Sequence, residues 1–273
     1  MNAESIPLIP APLSVDQMRE MEQRQIKKHH VAIILLHWFN AFVWLIELAT
    51  GVALVSNPAF SIAPDWYTGM VRSAFGAANL LRFHIVLGVV WIFVFVVYGI
   101  FGYRHYLHHE VLIKEVGLDK DDIDWLMIRT QNILKRSSDP LPDQGSYNAG
   151  QKLFALLVYA ALPVIAVTGL IMAFHLFGTT VVAWSMLLHF VAVGMVVSGL
   201  MIHVYMGAVF PEERPAFFSM ITGMVNELYA YKHHYKWWRE VKQAQLEWEA
   251  GLAEPSNVMV EKREAETGSS TVA

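Results

Sequence analysis

The chain contains no cysteine. That excludes disulfides, cysteine-held iron–sulfur clusters and the C-x-x-C-H attachment of covalently bound haem. Charge is scarce as well: Asp, Glu, Lys and Arg make up 16 % of the chain against 55 % hydrophobic residues, where soluble domains carry about a quarter charged. The formal net charge is −4, and no basic patch points to nucleic acid. The opening MNAESIPLIPAPLSV lacks the basic-then-apolar order of a secretory signal. No internal repeat, nucleophile–base pair, phosphate loop or metal-hydrolase motif stands out.

What is present is apolar length. The mean hydropathy is +0.38, and four runs, at about 30–55, 81–103, 153–174 and 184–207, each reach the roughly 20 residues that cross a bilayer as a helix. The expected fold is an all-α integral membrane protein: a bundle of four transmembrane helices, plus interfacial and cytoplasmic helices. Arg24, Lys27 and Lys28 precede the first run, which by the positive-inside rule puts the N-terminus in the cytoplasm. The chain then divides into a cytoplasmic arm (1–29), the membrane domain (30–210) and a cytoplasmic interfacial helix with a disordered tail (211–273), with both termini inside. A short interfacial helix is expected within GMVRSAFGAANLL, ahead of the second span. Another, IDWLMIRTQNILK, is expected to be capped by Asp121 or Asp122.

Histidine, twelve in all, carries the chemistry. The stretch Trp184–Met206 (WSMLLHFVAVGMVVSGLMIHVYM) holds no Asp, Glu, Lys or Arg, and within it His189 and His203 stand fourteen residues apart. At about 100° and 1.5 Å per residue, both imidazoles fall on nearly one face, roughly 21 Å apart along the axis. Between them Gly194, Ser198 and Gly199 leave room for a haem edge or a neighbouring helix. His37 lies about one and a half turns into the first span, and His84 near the start of the second. With the N-terminus inside, His37 and His203 share the inner depth, and His84 and His189 share the outer depth. Two histidines on different helices at each of two depths is the arrangement for two bis-histidine haems b. A pair of polar residues hydrogen-bonded inside a bundle is the plainer alternative for either histidine taken singly.

Other residues carry two readings. Glu47 falls near mid-membrane, where an unpaired carboxylate is costly; it is either neutral and hydrogen-bonded to a neighbouring helix or part of a proton path. Arg82 either reaches a haem propionate or anchors the membrane edge. Tyr147, Asn148, Gly150 and Gln151, in YNAGQK before the third span, form either a turn with a helix cap or a site for a carbonyl-bearing head group. His105, His108 and His109 read as headgroup-layer residues, His233 and His234 as exposed ones. Pro163 is expected to kink the third span.

Several pieces together resemble the gamma subunit of respiratory formate dehydrogenases, a membrane dihaem cytochrome b. They are His37-Trp38, FHIVLG around His84, YNAGQK, LLHFVAVG around His189, IHVYM around His203 and KHHYKWWRE at 232–240. The order and spacing fit from about residue 30 to 240. The resemblance implies an inner haem on His37 and His203 and an outer haem on His84 and His189. It implies a quinone site at the inner face, with Asn148 and Gly150 contacting a menaquinone or ubiquinone head group. Electrons would arrive from an iron–sulfur subunit outside, itself served by a molybdenum or tungsten catalytic subunit. On this reading the chain is the quinone-reducing electron-transfer subunit of a complex in the bacterial inner membrane. The N-terminal arm, the 56–80 connection and PEERP look longer than the family pattern, which leaves the catalytic partner open. Related cytochromes serve hydrogenases and sulfur-compound reductases, and a haem-free anchor or transporter relaying protons through its histidines is the alternative of another class.

Overall fold

A computed structural model describes residues 12–55, 61–105, 115–251 and 260–262. His108, His109 and the expected disordered tail beyond about residue 250 lie, wholly or almost so, outside the described residues, as does most of the Pro-rich opening. Four helices are long and apolar enough to cross a membrane: α2 (Val31–Leu54), α4 (Ala77–His105), α6 (Ala149–Phe174) and α7 (Thr179–Val204). The chain separates into two compact units.

One unit, 32–112 with 154–202, holds most of the four spans. Its core is a cluster of Val43, Trp91 and Leu162, one from each of α2, α4 and α6. Trp91 donates its indole N–H to Asn40 Oδ1 at 2.7 Å, tying α4 to α2. Few apolar side chains of the spans are buried, as befits helices whose outer partner is lipid. The glycines of the spans differ in how tightly they pack: a Cβ on Gly199 would sit 2.8 Å from the Phe154 ring, whereas one on Gly194 would meet nothing. Gly199 therefore serves close approach of α6 and α7, the neighbouring-helix role among the two expected for these small residues.

The connection before the second span contains α3 (Asp65–Phe75). Gly76, with φ of 73°, turns the chain directly into α4, so AANL belongs to the span rather than to the interfacial helix. The Arg72 guanidinium donates to the carbonyls of Ala53 (2.7 Å) and Val55 (3.2 Å), and Tyr67 to Ala49 O (2.8 Å). The two Arg72 bonds satisfy carbonyls at the end of α2 that have no intrahelical partner. The third span runs as one helix through Pro163.

The other unit is built from 1–31, 113–153 and 203–273, so the two units cut across boundaries drawn along the chain. Here α1 (Val15–Gln23) begins in a capping box between Ser14 and Gln17 and gives way to β1 (Arg24–Lys27). β1 is the centre of a three-stranded antiparallel sheet, between β2 (Met224–Asn226) and β3 (Val260–Lys262). The polar stretch 14–28 is thus helical only as far as Gln23. Two more helices follow β2: α9 (Glu227–His233) and α10 (Tyr235–Glu249). Ile26, Val225, Tyr229, Ala230, Trp237 and Val241 form one core cluster; Met21, Leu228, Tyr231 and Tyr235 form another. In this unit α8 (Arg214–Thr222) also keeps large apolar side chains, Phe218 and Ile221, in the open, as an interfacial helix would.

Two sequence expectations are corrected in this unit. His234 is fully buried, not exposed, because the aromatic side chains of KHHYKWW pack inward rather than along a basic surface. The helix α5 (Lys120–Lys135) is capped by Asp119, whose side chain accepts from Asp122 N while Asp122 answers at Asp119 N. Asp122 is instead the N3 partner of that box, and its other commitment is a buried ion pair to Lys152 at 2.8 Å.

Candidate haem and quinone sites

His84 and His189 lie on different helices of the same unit, near enough to interact electrostatically. Each ring is anchored through Nδ1 to an adjacent span. His189 Nδ1 is 3.0 Å from Thr168 Oγ1 and 3.1 Å from Ile165 O. A carbonyl oxygen only accepts, and the Thr168 hydroxyl donates to Val164 O at 2.6 Å. Nδ1 therefore carries the proton, and Nε2 keeps its lone pair. His84 Nδ1 is 2.9 Å from Thr50 Oγ1 and 2.6 Å from Glu47 Oε2. Thr50 donates its own hydroxyl proton to Ile46 O at 2.9 Å, so the same tautomer follows.

The local sequence explains the matching geometry. Glu47, Thr50 and Gly51 stand at i, i+3 and i+4 on α2; Ile165, Thr168 and Gly169 repeat that spacing on α6. Such positions share one helix face. The threonine holds the ring nitrogen, and the glycine next to it makes room for the ring: a Cβ on Gly51 would lie 3.3 Å from His84 Cε1, and one on Gly169 would lie 3.4 Å from His189 Cε1. The Thr-Gly step repeated in two spans, ELATG and IAVTG, was the available signal for these partners.

An imidazole with Nδ1–H committed and Nε2 unprotonated is the form that ligates iron. The residues present therefore fit a bis-histidine haem. His37, on α2, falls in this unit and makes an edge-on contact with Trp38, ring centroids 5.4 Å apart. His203 ends α7 and belongs to the other unit. Arg82 is exposed and, among the described residues, has no ion-pair partner.

YNAGQK lies at the start of α6. Asn148 Oδ1 accepts from Gln151 N (2.9 Å), and Gln151 Oε1 accepts from Asn148 N (3.0 Å), a reciprocal cap. This cap starts the third span at Ala149, four residues ahead of the expected Leu153. It commits both amide oxygens, while among the described residues neither amide NH2 donates to protein. Gly150 is closely packed, with a Cβ there 3.4 Å from Asn148 Oδ1 and 3.8 Å from the Trp125 ring. Gln144 Oε1 takes Ala149 N at 2.6 Å.

Tyr147 faces His29, ring centroids 6.4 Å apart, and the Lys28 ammonium lies 5.9 Å from its ring centroid. That ammonium is also 5.4 Å from the Trp237 ring centroid and 3.4 Å from His234 Nε2. Burial pushes Lys28 from 10.5 down to about 8, against the pull of Glu213 and Glu115. His234 Nδ1 donates to Gly145 O at 2.7 Å. Burial, and then the neighbouring Lys28 charge, holds this imidazole well below its ordinary range, and so neutral. Glu213 accepts from Tyr229 OH at 2.7 Å and sits 3.6 Å from His233 Nδ1; these partners outweigh its burial and keep its carboxyl below the ordinary carboxylate range.

With four membrane-length helices and histidines set for iron, the family comparison is decisive. The profile of the prokaryotic cytochrome b561 family matches residues 28–223. The chain belongs to that family. As a membrane cytochrome b it carries haem b, held without covalent attachment. It is also similar to the "Formate dehydrogenase, nitrate-inducible, cytochrome b556(Fdn) subunit" of Escherichia coli (strain K12), 28 % identical over 223 residues, covering 78 % of this chain and 90 % of the relative. Similarity extends to the "Formate dehydrogenase, cytochrome b556 subunit" of Haemophilus influenzae, at 26 % identity over 82 % of this chain and 86 % of that one. The "Formate dehydrogenase, cytochrome b556(fdo) subunit" of E. coli (strain K12) is 28 % identical over 76 % of this chain and 88 % of the relative. The resemblance drawn from the histidine and YNAGQK motifs accordingly stands.

Proposed function

We propose that this cytochrome b is the quinone-reactive dihaem subunit of a formate dehydrogenase-like complex in the bacterial inner membrane, with both termini cytoplasmic. The observation that carries the reading is the pair His84 and His189, each on its own helix with Nδ1 anchored and Nε2 left as a lone pair. They would hold the outer haem; His37 and His203, paired by their shared depth in the antiparallel topology, would hold the inner one. A bis-histidine haem supplies one-electron transfer at its iron. The chain's part is to fix the imidazole tautomers, set the two haems at different depths and keep them in apolar surroundings.

At the inner end, Asn148 and Gln151 have spare amide N–H groups for a quinone carbonyl, and Gly150 permits close approach to the backbone. Tyr147 completes the set, and Arg82 is suited to a propionate. With no cysteine of its own, the chain depends on an iron–sulfur subunit for electrons and, through it, on a molybdenum or tungsten catalytic subunit where the primary substrate reacts. Protons for a reduced quinone are taken up from the inside, which makes the electron transfer generate membrane potential.

The test is the visible difference spectrum of the purified native complex before and after adding formate. Growth of b-type bands on formate addition supports the whole chain of transfer. Bands that grow with dithionite but not with formate would move the protein to another complex, of a hydrogenase or sulfur-compound reductase, and the co-purifying large subunit would identify which.

A further inference from the structure

The two outer histidines are held by the same three-residue face on two helices, except at one position. On α6 that position is Ile165, and His189 Nδ1–H is received by its backbone carbonyl at 3.1 Å. On α2 it is Glu47, and His84 Nδ1–H is received by a side-chain carboxyl oxygen at 2.6 Å. The remaining partners match, Thr168 at 3.0 Å and Thr50 at 2.9 Å. One ligand of the outer haem therefore has neutral partners only, and its mate has a carboxyl group.

Glu47 has no other task. Its Oε1 is buried and makes no hydrogen bond among the described residues; a Cβ on Gly88 would lie 3.7 Å from it. A purely structural carboxyl in an apolar span would be costly without a second partner. The one polar contact of its carboxyl is to an imidazole nitrogen, made through Oε2.

We infer that Glu47 is a positioning residue that sets the redox potential of the haem bound by His84, and of that haem alone. The inference rests on the bis-histidine reading above. A carboxylate receiving Nδ1–H makes the imidazole a stronger electron donor through Nε2. A more basic ligand favours the oxidised iron over the reduced iron, and a nearby negative charge in a low-dielectric span acts in the same direction. The outer haem is thereby kept at lower potential than a neutral acceptor would give, which favours onward passage of each electron to the inner haem. The Nδ1 proton stays in its hydrogen bond throughout: one electron arrives, one leaves, and no proton is released.

The test is a redox titration of both haems in the native complex and in its Glu47→Gln variant, read by b-type absorbance and by the electron paramagnetic resonance of the oxidised haems. Gln keeps the acceptor oxygen and the volume but removes the charge. The expected result is a rise in one midpoint potential only. Its size is a roughly tenfold change in the reduced-to-oxidised ratio at fixed ambient potential, or about 59 mV for a one-electron couple. The low-spin signal of the same haem should shift. Thr50→Val, which removes a neutral partner and leaves the carboxylate, should move that potential less than Glu47→Gln does. Two haems at unchanged potentials in Glu47→Gln would overturn the inference and leave the dihaem reading intact. A haem content unaffected by His84→Ala would instead overturn the dihaem reading, and the inference with it.

Discussion

His189 Nδ1 lies 3.0 Å from the Thr168 hydroxyl, and Gly169 presents no side chain to the same ring. Two adjacent residues of α6 thus decide both the tautomer and the position of an imidazole on α7. Thr50 and Gly51 of α2 do the same for His84 on α4.

Substituting the glycines should therefore read out as haem loss. A Cβ on Gly51 would already press His84 Cε1 at 3.3 Å, so Gly51→Val should displace the ring and cost one haem per chain. Thr168→Val should be milder, because Ile165 O still receives the proton. Loss of a partner behind a ligand typically weakens metal-group binding by about 10–100-fold. Haem-to-protein ratio after extended washing in detergent measures both.

Gly199 and Gly194 should behave in opposite ways. Alanine at 199 would meet the Phe154 ring at 2.8 Å and Leu157 at 3.0 Å, whereas alanine at 194 would meet nothing within 4 Å. Overpacking of this kind costs about 1–3 kcal/mol. Gly199→Ala should lower the melting temperature of the detergent-solubilised protein while leaving the positions of the haem bands in place; Gly194→Ala should change neither.

Asn148 separates capping from quinone binding. Asn148→Asp retains an oxygen for Gln151 N, and so the start of α6, but replaces the amide NH2 by an acceptor that repels a quinone carbonyl. Quinone reductase activity should fall steeply while dithionite-reduced spectra and stability stay near wild type. Asn148→Ala should lose activity and, by loss of the cap, about 1 kcal/mol of stability.

Half-buried Lys28 gives its unit a pH dependence. Its folded-state value of about 8 lies below the ordinary 10.5, so between those values the unfolded chain holds a proton that the folded chain has released. Stability then rises with pH across that window, and below about pH 8 the cost of burying the charge is present in full. At 1.36 kcal/mol per unit, the gain from pH 8 to 10.5 is about 3 kcal/mol. The difference in stability between wild type and Lys28→Met should be flat below pH 8 and move in favour of wild type above it. A difference independent of pH up to 10.5 would contradict a half-buried, charged Lys28.

The spans and their histidines were legible because both rest on local rules, apolar length and the turn of a single helix. Element starts were less so: YNAGQK has the composition of a loop, and only the reciprocal Asn148–Gln151 cap shows that the helix has already begun. Asp119 outcompeted Asp121 and Asp122 as a cap for the same reason, since the pairing with Asp122 becomes visible only in three dimensions. The burial of His234 could not be read locally at all. Its partners are Lys28, 206 positions away, and Gly145, 89 positions away. Nor could the threonines be assigned to their histidines, because that requires the axial register of one helix against another. The small sheet escaped for a similar cause: β1 and β2 are short and lie at opposite ends of the chain.

The central claim is that four histidines of this chain hold two haems b. Its most direct test is the haem content of the purified protein, measured as the pyridine haemochrome against chain concentration, in wild type and in His189→Ala. Two haems b per chain, falling to one in the variant, is the predicted result. One haem or none in wild type purified from haem-replete cells, or two haems retained in His189→Ala, would contradict it.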